Sequence, residues 1–315
     1  MGHPGPDAEA LGVEGLVGYG RIMTTVAVLG LGTMGLGMAK NLLAAGYVVH
    51  GFNRSSERGV HLEESGGTYF SDPIAAIEGA DAAIVCLAND AATGAVVFAP
   101  RLLSDSAPGM LLIDSGTTSL ELTERIDAAC QAHDVEFLDA PITGSKLGAE
   151  GGRLTFMVGG PRARLDRAEP LFEAMGRHVV HAGTRIGDGQ RIKYCLNMSQ
   201  AIVLQGVLEG YALASAQGLP VEKLEEVFEK SAGRTAIGAF KTPYLRARDF
   251  TAHFRLDLML KDLHLALRQA QGAGQPVPLG HAITSLYALA SRRGWGSEDF
   301  LAVAKLLEFD GSDET

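Results

Sequence analysis

The chain has 315 residues, a formal net charge of −10, 46% hydrophobic and 20% charged residues. That length accommodates two domains with a large core, and the acidic balance argues against a nucleic-acid surface. Cys86, Cys130 and Cys195 have no C-x-x-C spacing, which speaks against a disulfide framework or structural zinc and fits a reducing cytoplasm; apolar runs break before the roughly 18 residues of a membrane span.

Residues 1–22 show little periodicity and no basic-then-apolar leader, so they read as a disordered extension, with Met23 an alternative start. From Thr24 the order becomes strand, turn, helix, strand. Thr25–Leu29 is a buried-type strand, Met34–Ala45 a helix stopped by Gly46, and Tyr47–Phe52 a second strand. Further strands are expected at Ala82–Leu87, Met110–Ile113 and Val135–Leu138, with a helix over Thr118–His133. This alternation predicts a parallel sheet covered on both faces. Leu154–Val158 and His178–His181 extend it, with a helix from Pro161 to Met175 between them.

After Gly187 the strand signals stop. Gln190–Gln217 reads as one long helix ended by Gly218-Leu219-Pro220. Helices follow at about Val221–Lys230, Leu256–Gln271, Leu279–Arg292 and Glu298–Leu307. The expected organisation is an α/β Rossmann-type domain over 23–186, an all-α domain over 187–309 and a polar tail over 310–315.

Two motifs carry chemistry. Gly30-Leu31-Gly32-Thr33-Met34-Gly35 follows the first strand and opens the first helix. In that context Gly30 makes the turn, Gly32 admits a pyrophosphate and Gly35 lets helix meet strand, with the phosphates at the positive end of the helix dipole. The second strand ends in Asn53-Arg54-Ser55, where an NAD site usually carries an acid for the ribose hydroxyls. A neutral Asn53 and a cationic Arg54 suit a 2′-phosphate, so NADP is the expected cofactor, with NAD possible. The second motif is Gly187-x-Gly189-x-x-x-Lys193-x-x-x-Asn197. It places a lysine and an asparagine on one face of a helix. Lys193 is the candidate acid/base, and Asn197 would hold Lys193 or a substrate oxygen. The histidines lack ligand spacing with a carboxylate, and no metal site is expected.

With these residues in hand, the chain resembles the β-hydroxyacid dehydrogenases over about Thr24–Leu307. Four separated motifs carry the likeness. They are the glycine loop, Asp139-Ala140-Pro141-Ile142-Thr143-Gly144-Ser145-Lys146, the Lys193/Asn197 stretch, and Phe254-x-x-x-Leu258-x-x-Lys261-Asp262. Ser145-Lys146 and Leu196 look most like the glyoxylate/succinic semialdehyde reductase branch. The resemblance implies a Rossmann domain followed by an α-domain. It also implies cofactor contacts from Leu87, Ala88, Thr117, Phe254 and Lys261 beside the glycine loop and Asn53–Ser55, and substrate contacts from Thr143, Gly144, Ser145, Lys193 and Asn197. Small hydroxyacids and their aldehyde acids are the implied substrates, and a homodimer or homotetramer the implied assembly. Gly116 and Leu120 depart from the family's pattern after the fifth strand, which puts fine specificity in question. An imine reductase and a non-catalytic reductase-like module share this architecture, but both typically lack the lysine.

Overall fold

The computed structural model describes residues 23–307, so the expected extension over 1–22 and the tail over 310–315 lie outside the described residues. Nine strands form one sheet: β1 (Thr25–Leu29), β2 (Val48–Phe52), β3 (Thr68–Phe70), β4 (Ala82–Val85), β5 (Leu111–Asp114), β6 (Glu136–Asp139), β7 (Ile142–Thr143), β8 (Leu154–Gly159) and β9 (Gly176–Gly183). The order is 3-2-1-4-5-6-8-7, with β9 paired to β8. The helices between them are α1 (Thr33–Ala44), α2 (Glu57–Glu63), α3 (Pro73–Ile77), α4 (Asp90–Val97), α5 (Leu120–Ala132), α6 (Ser145–Glu150) and α7 (Arg162–Met175). The all-helical part contains α8 (Asp188–Ala216), α9 (Val221–Glu229), α10 (Ala236–Arg246), α11 (Leu256–Gly272) and α12 (Pro278–Ala290).

Alternate residues of β1 feed the two faces of the sheet. Val26 and Val28 meet Met38 and Leu42 of α1 and Leu171 of α7 in one buried cluster. Ala27 and Leu29 meet Ile77 of α3, Val97 of α4 and Ile126 of α5 in the other. Both faces are dry, so the strand is apolar throughout rather than alternating. β1 to β6 are parallel neighbours, and their carboxyl ends therefore share one edge.

The expected parallel sheet holds to that point and fails beyond it. β8 runs antiparallel to β6 and β7. A parallel return needs a crossover to the far edge. Here the chain leaves β6, forms the two-residue β7 and the short α6, and re-enters at the edge it left. The C-terminal end also differs from expectation. The residues expected as a helix from Glu298 form a 3-10 helix over Phe300–Leu307, and α12 gives way at Ser291–Trp295 to a wider turn containing Gly294 at φ 88°. α2, β3, α3, α4, β7, α6 and α10 had no counterpart among the expected elements.

Two contacts fix the loops that matter below. The first joins α1 to α6. A Cβ on Gly37 would lie 2.8 Å from the carbonyl carbon of Ala149, so only glycine allows this approach. Asn41 Nδ2 then donates to the carbonyls of Gly37 (2.9 Å) and Ala149 (2.6 Å). The second docks α8 on the sheet. The Asp139 carboxylate, at the end of β6, accepts from the backbone N–H of Gly187 (2.6 Å) and of Gln190 (2.9 Å). It satisfies two N–H groups that a helix start leaves unpaired, and its charge meets the positive end of the dipole.

Asp139→Ala leaves both N–H groups buried without an acceptor. It should lower unfolding stability by about 3 kcal/mol, read as a lower midpoint in urea unfolding with unchanged slope.

Candidate active site

The carboxyl edge of β1, β2, β4, β5 and β6 gathers most of the expected residues. The glycine loop follows β1. A Cβ on Gly35 would fall 1.9 Å from the Gly30 carbonyl oxygen, while one on Gly32 would meet nothing within 4 Å. The loop is thus closed toward the protein at Gly35 and open at Gly32. α1 starts at Thr33 with no side-chain cap and no acidic residue in its first turn, which leaves its leading N–H groups for an anion. These features fit a dinucleotide pyrophosphate. Leu31 and Met34 pack against the core on the inner side of the loop.

Asn53 is tied into this loop. Its Oδ1 accepts from Leu31 N–H (3.2 Å), and its Nδ2 donates to the Ser55 carbonyl and hydroxyl oxygens (both 3.1 Å). Tyr69 fixes the Asn53 carbonyl from β3 with a 3.0 Å hydrogen bond. Arg54 is exposed beside it. Leu87 and Ala88 follow β4, the first half-buried and the second exposed, and the Leu87 side chain lies against Gly30.

The segment after β5 is stitched to α8. Asp114 Oδ1 accepts from Gly116 N–H (2.9 Å), and its Oδ2 accepts from the Thr118 hydroxyl (2.8 Å). Gln190 Nε2 donates to the Gly116 carbonyl (3.0 Å) and its Oε1 accepts from Thr118 N–H (3.3 Å). The Tyr194 hydroxyl donates to the Thr118 carbonyl. Burial, partly offset by the bonds from Thr118 and Gly116, pushes the Asp114 carboxyl up to about 7, and burial likewise pushes Asp139 up to about 6. Leu120, atypical in sequence, packs with Tyr194, Leu265 and Ala266 where the two domains meet. Gly116 sits where a Cβ would approach the Leu87 carbonyl oxygen to 3.1 Å. The departures at Leu120 and Gly116 thus lie in packing around the segment.

Lys193 lies in the second turn of α8 and is only 6% exposed. Its Nζ has no hydrogen-bond partner among the described residues, and the Phe254 ring centroid is 6.0 Å away. Desolvation pulls the ammonium down to about 8, with nearby Asp262 opposing and nearby Lys261 reinforcing that fall. Asn197, one turn on, does not hold Lys193. Its Nδ2 donates to Asp262 Oδ2 at 2.6 Å. Asp262 Oδ1 is buried with no hydrogen bond, 3.2 Å from Lys261 Nζ. Lys261 itself donates to the Thr117 carbonyl, so these two expected cofactor contacts meet directly. A buried amine with free N–H bonds and a lowered affinity for its proton can donate to, or accept from, a ligand oxygen near neutral pH.

Thr143 ends β7, and Gly144 and Ser145 turn the chain into α6 at φ 136° and φ 59°. No hydrogen bond joins these three to Lys193 or Asn197. Ser145 occupies the left-handed region that glycine favours. Sequence reasoning assigned no role to Asp114, Gln190, Tyr194 or Asp262. The available signal was the placement of the first three, an acid ending a buried strand, and polar residues one turn before and directly after Lys193. His253, which has no ligand spacing with a carboxylate in sequence, donates its backbone N–H to Asp299 at 2.9 Å, and its ring Nδ1 lies 3.9 Å from the same group. Among the described residues no cluster of His, Cys, Asp and Glu could hold a metal, and no helix is long and apolar enough to cross a membrane.

Residues 25–183 match the family model described as the NAD binding domain of 6-phosphogluconate dehydrogenase. Residues 187–307 match that of the NAD-binding region of NADP-dependent 3-hydroxyisobutyrate dehydrogenase. The chain is 36% identical to an NAD-dependent L-serine dehydrogenase of Pseudomonas aeruginosa, over 91% of this chain and 98% of the relative. It is 35% identical to a 3-hydroxyisobutyrate dehydrogenase of the same organism, over 90% and 98%. The solved 3-hydroxyisobutyrate dehydrogenase of Mycobacterium tuberculosis with L-serine superposes with a TM-score of 0.82 at 33% identity, covering 91% of this chain and all of that one. The chain is therefore an oxidoreductase acting on CH–OH groups with a nicotinamide dinucleotide. It belongs to the β-hydroxyacid dehydrogenase family, in the company of the 3-hydroxyisobutyrate dehydrogenases.

Asp262→Asn removes the charge that favours protonated Lys193. If Lys193 supplies the proton in reduction, the alkaline fall in kcat/KM should begin at lower pH than in the parent, measured by initial rates across pH 6–10.

Proposed function

We propose that the enzyme interconverts a small hydroxyacid bearing a primary alcohol and its aldehyde acid, with NADP as the preferred cofactor and Lys193 as the acid/base. The observation that carries this reading is the buried Lys193 ammonium without a hydrogen-bond partner, beside the Asn197–Asp262 pair. Bound at the glycine loop, the dinucleotide supplies or accepts the hydride. Lys193 gives its proton to the carbonyl oxygen as charge develops there, or takes the hydroxyl proton in oxidation. Asp262 holds Asn197 through one amide N–H, leaving the other for the same oxygen. Thr143, Gly144 and Ser145 offer a hydroxyl-rich turn to the substrate carboxylate. The names of the relatives support a carboxylate on the carbon bearing the hydroxymethyl group, a feature common to L-serine and 3-hydroxyisobutyrate. The Ser145-Lys146 sequence supports adding glyoxylate and succinic semialdehyde to the test panel.

The cofactor preference rests on Asn53 and Arg54. The exposed guanidinium has no partner among the described residues, and Asn53 adds no charge that would repel a 2′-phosphate. The assembly rests on α8, which presents Ile192, Val203 and Leu213 outward, the last 61% exposed, with open space around Gly206. A second copy of the chain would cover this stripe.

Lys193→Ala should cut kcat by about 10²-fold or more while NADPH binding persists; near-normal turnover on the four-substrate panel would overturn the assignment. A charged hydrogen bond to phosphate contributes about 1.5–3 kcal/mol, so Arg54→Ala should weaken NADPH roughly ten- to a hundred-fold and leave NADH nearly unchanged. Fluorescence titration of both cofactors checks this, and equal affinities in the parent would refute the NADP preference. Light scattering at micromolar concentration should give a dimeric or larger mass.

A further inference from the structure

The buried pair Lys241–Asp299 lies outside the site described above. Both residues are 1% exposed, and Lys241 Nζ reaches Asp299 Oδ1 at 2.6 Å. The ammonium sits 4.5 Å from the Phe300 ring centroid and 5.0 Å from that of Phe240. Asp299 has three further donors. Leu301 N–H donates to Oδ1 (3.0 Å), and the N–H groups of His253 (2.9 Å) and Phe254 (3.1 Å) donate to Oδ2. The Phe254 carbonyl in turn accepts from Phe300 N–H at 2.9 Å. One carboxylate thus ties down the two successive amides of His253 and Phe254, while Phe300 N–H holds the Phe254 carbonyl, and the Phe254 ring lies over Lys193.

A buried ion pair is a weak source of net stability, since desolvation of the ions offsets their attraction. Its geometric effect here is specific. Lys241 shares one carboxylate oxygen with Leu301 N–H and fixes the rotation of the group from the side-chain side, so that the other oxygen faces the His253 and Phe254 amides. We propose that Lys241, acting through Asp299, is a positioning residue that seats Phe254 over Lys193 and keeps water from its amine. This rests on Lys193 being the acid/base. With Phe254 unseated, water reaches the ammonium and its affinity for the proton rises. The other charges facing Lys193 are Asp262 and Lys261 on α11, which stay in place. His253 is turned toward Asp299, Phe240 and Tyr244.

The test compares Lys241→Met, Phe254→Ala, their combination and Lys193→Ala in the full chain. In Lys241→Met the His253 and Phe254 amides should exchange hydrogen at least tenfold faster, with the Rossmann amides unchanged. The alkaline limb of kcat/KM for reduction should move to higher pH, and kcat should fall about 10- to 100-fold. Phe254→Ala should show the same limb, and the combination should be no worse than Phe254→Ala alone. Unchanged amide exchange, or losses that multiply in the combination, would overturn the proposal. Lys193→Ala should abolish the limb. If the limb persists there, the acid/base reading fails, and amide exchange alone then decides the seating of Phe254. Lys241→Met leaves an unpaired buried carboxylate. Should it fail to fold, Lys241→Met/Asp299→Asn removes both charges, leaves one amide oxygen to serve both N–H groups, and should show the same exchange and limb. Failure of that neutral pair to fold would mark Lys241 as core structure and likewise overturn the positioning role.

Discussion

One carboxylate joins the two halves of the enzyme. Asp139 leaves the end of β6 and accepts two N–H groups at the start of a 29-residue helix. At 1.5 Å per residue that helix spans roughly 40 Å, so a small tilt at its anchored end becomes a large displacement at the other. Lys193 and Asn197 lie within the first three turns, where the lever arm is short. Gln190 and Tyr194, interleaved with them, hold the same turns to the segment after β5. Lys193 and Asn197 therefore inherit the rigidity of the sheet although they belong to the helical domain.

Within that frame the site balances opposed electrostatic effects. Burial lowers the proton affinity of Lys193, Lys261 lowers it further, and Asp262 raises it. Lys261 and Asp262 are adjacent on α11, with Nζ and Oδ1 3.2 Å apart, yet each reaches a different partner. One reaches the Thr117 carbonyl after β5, and the other reaches Asn197 on α8. The adjacent pair links the two halves of the cleft through side chains of opposite charge.

Much of this was legible in the sequence, for identifiable reasons. Buried parallel strands are continuous apolar runs, and the glycine loop is constrained by steric contacts at Gly30 and Gly35, so both leave local signatures. The Lys193/Asn197 spacing is helical and survives as a shared face. What escaped was short or long-range. α3 and α4 have only 5 and 8 residues. Their starts were nonetheless marked, by Asp72 with Pro73 and by Asn89, whose side chains accept from Ile74 and Ala92 N–H. The antiparallel turn of β8 depends on which edge the chain re-enters, which no local pattern encodes. Asp262 binding Asn197 spans 65 positions, and its partner could not be read from either motif alone. Asn197 was expected to support Lys193 or a substrate oxygen, but its observed partner is the acid that neighbours Lys261.

The contact between α1 and α6 has a consequence for re-engineering the pocket. The helix that opens at the phosphate loop also carries, through Gly37 and Asn41, the short helix that follows Thr143–Ser145. The turn at Thr143–Ser145 and the glycine loop are therefore mechanically linked in this scaffold. A loop transplanted from a relative between residues 140 and 154 brings its own backbone contour at position 149, and it will seat only if positions 37 and 41 travel with it. Loop exchange in this scaffold is thus constrained to move as two linked blocks, one in α1 and one after β7.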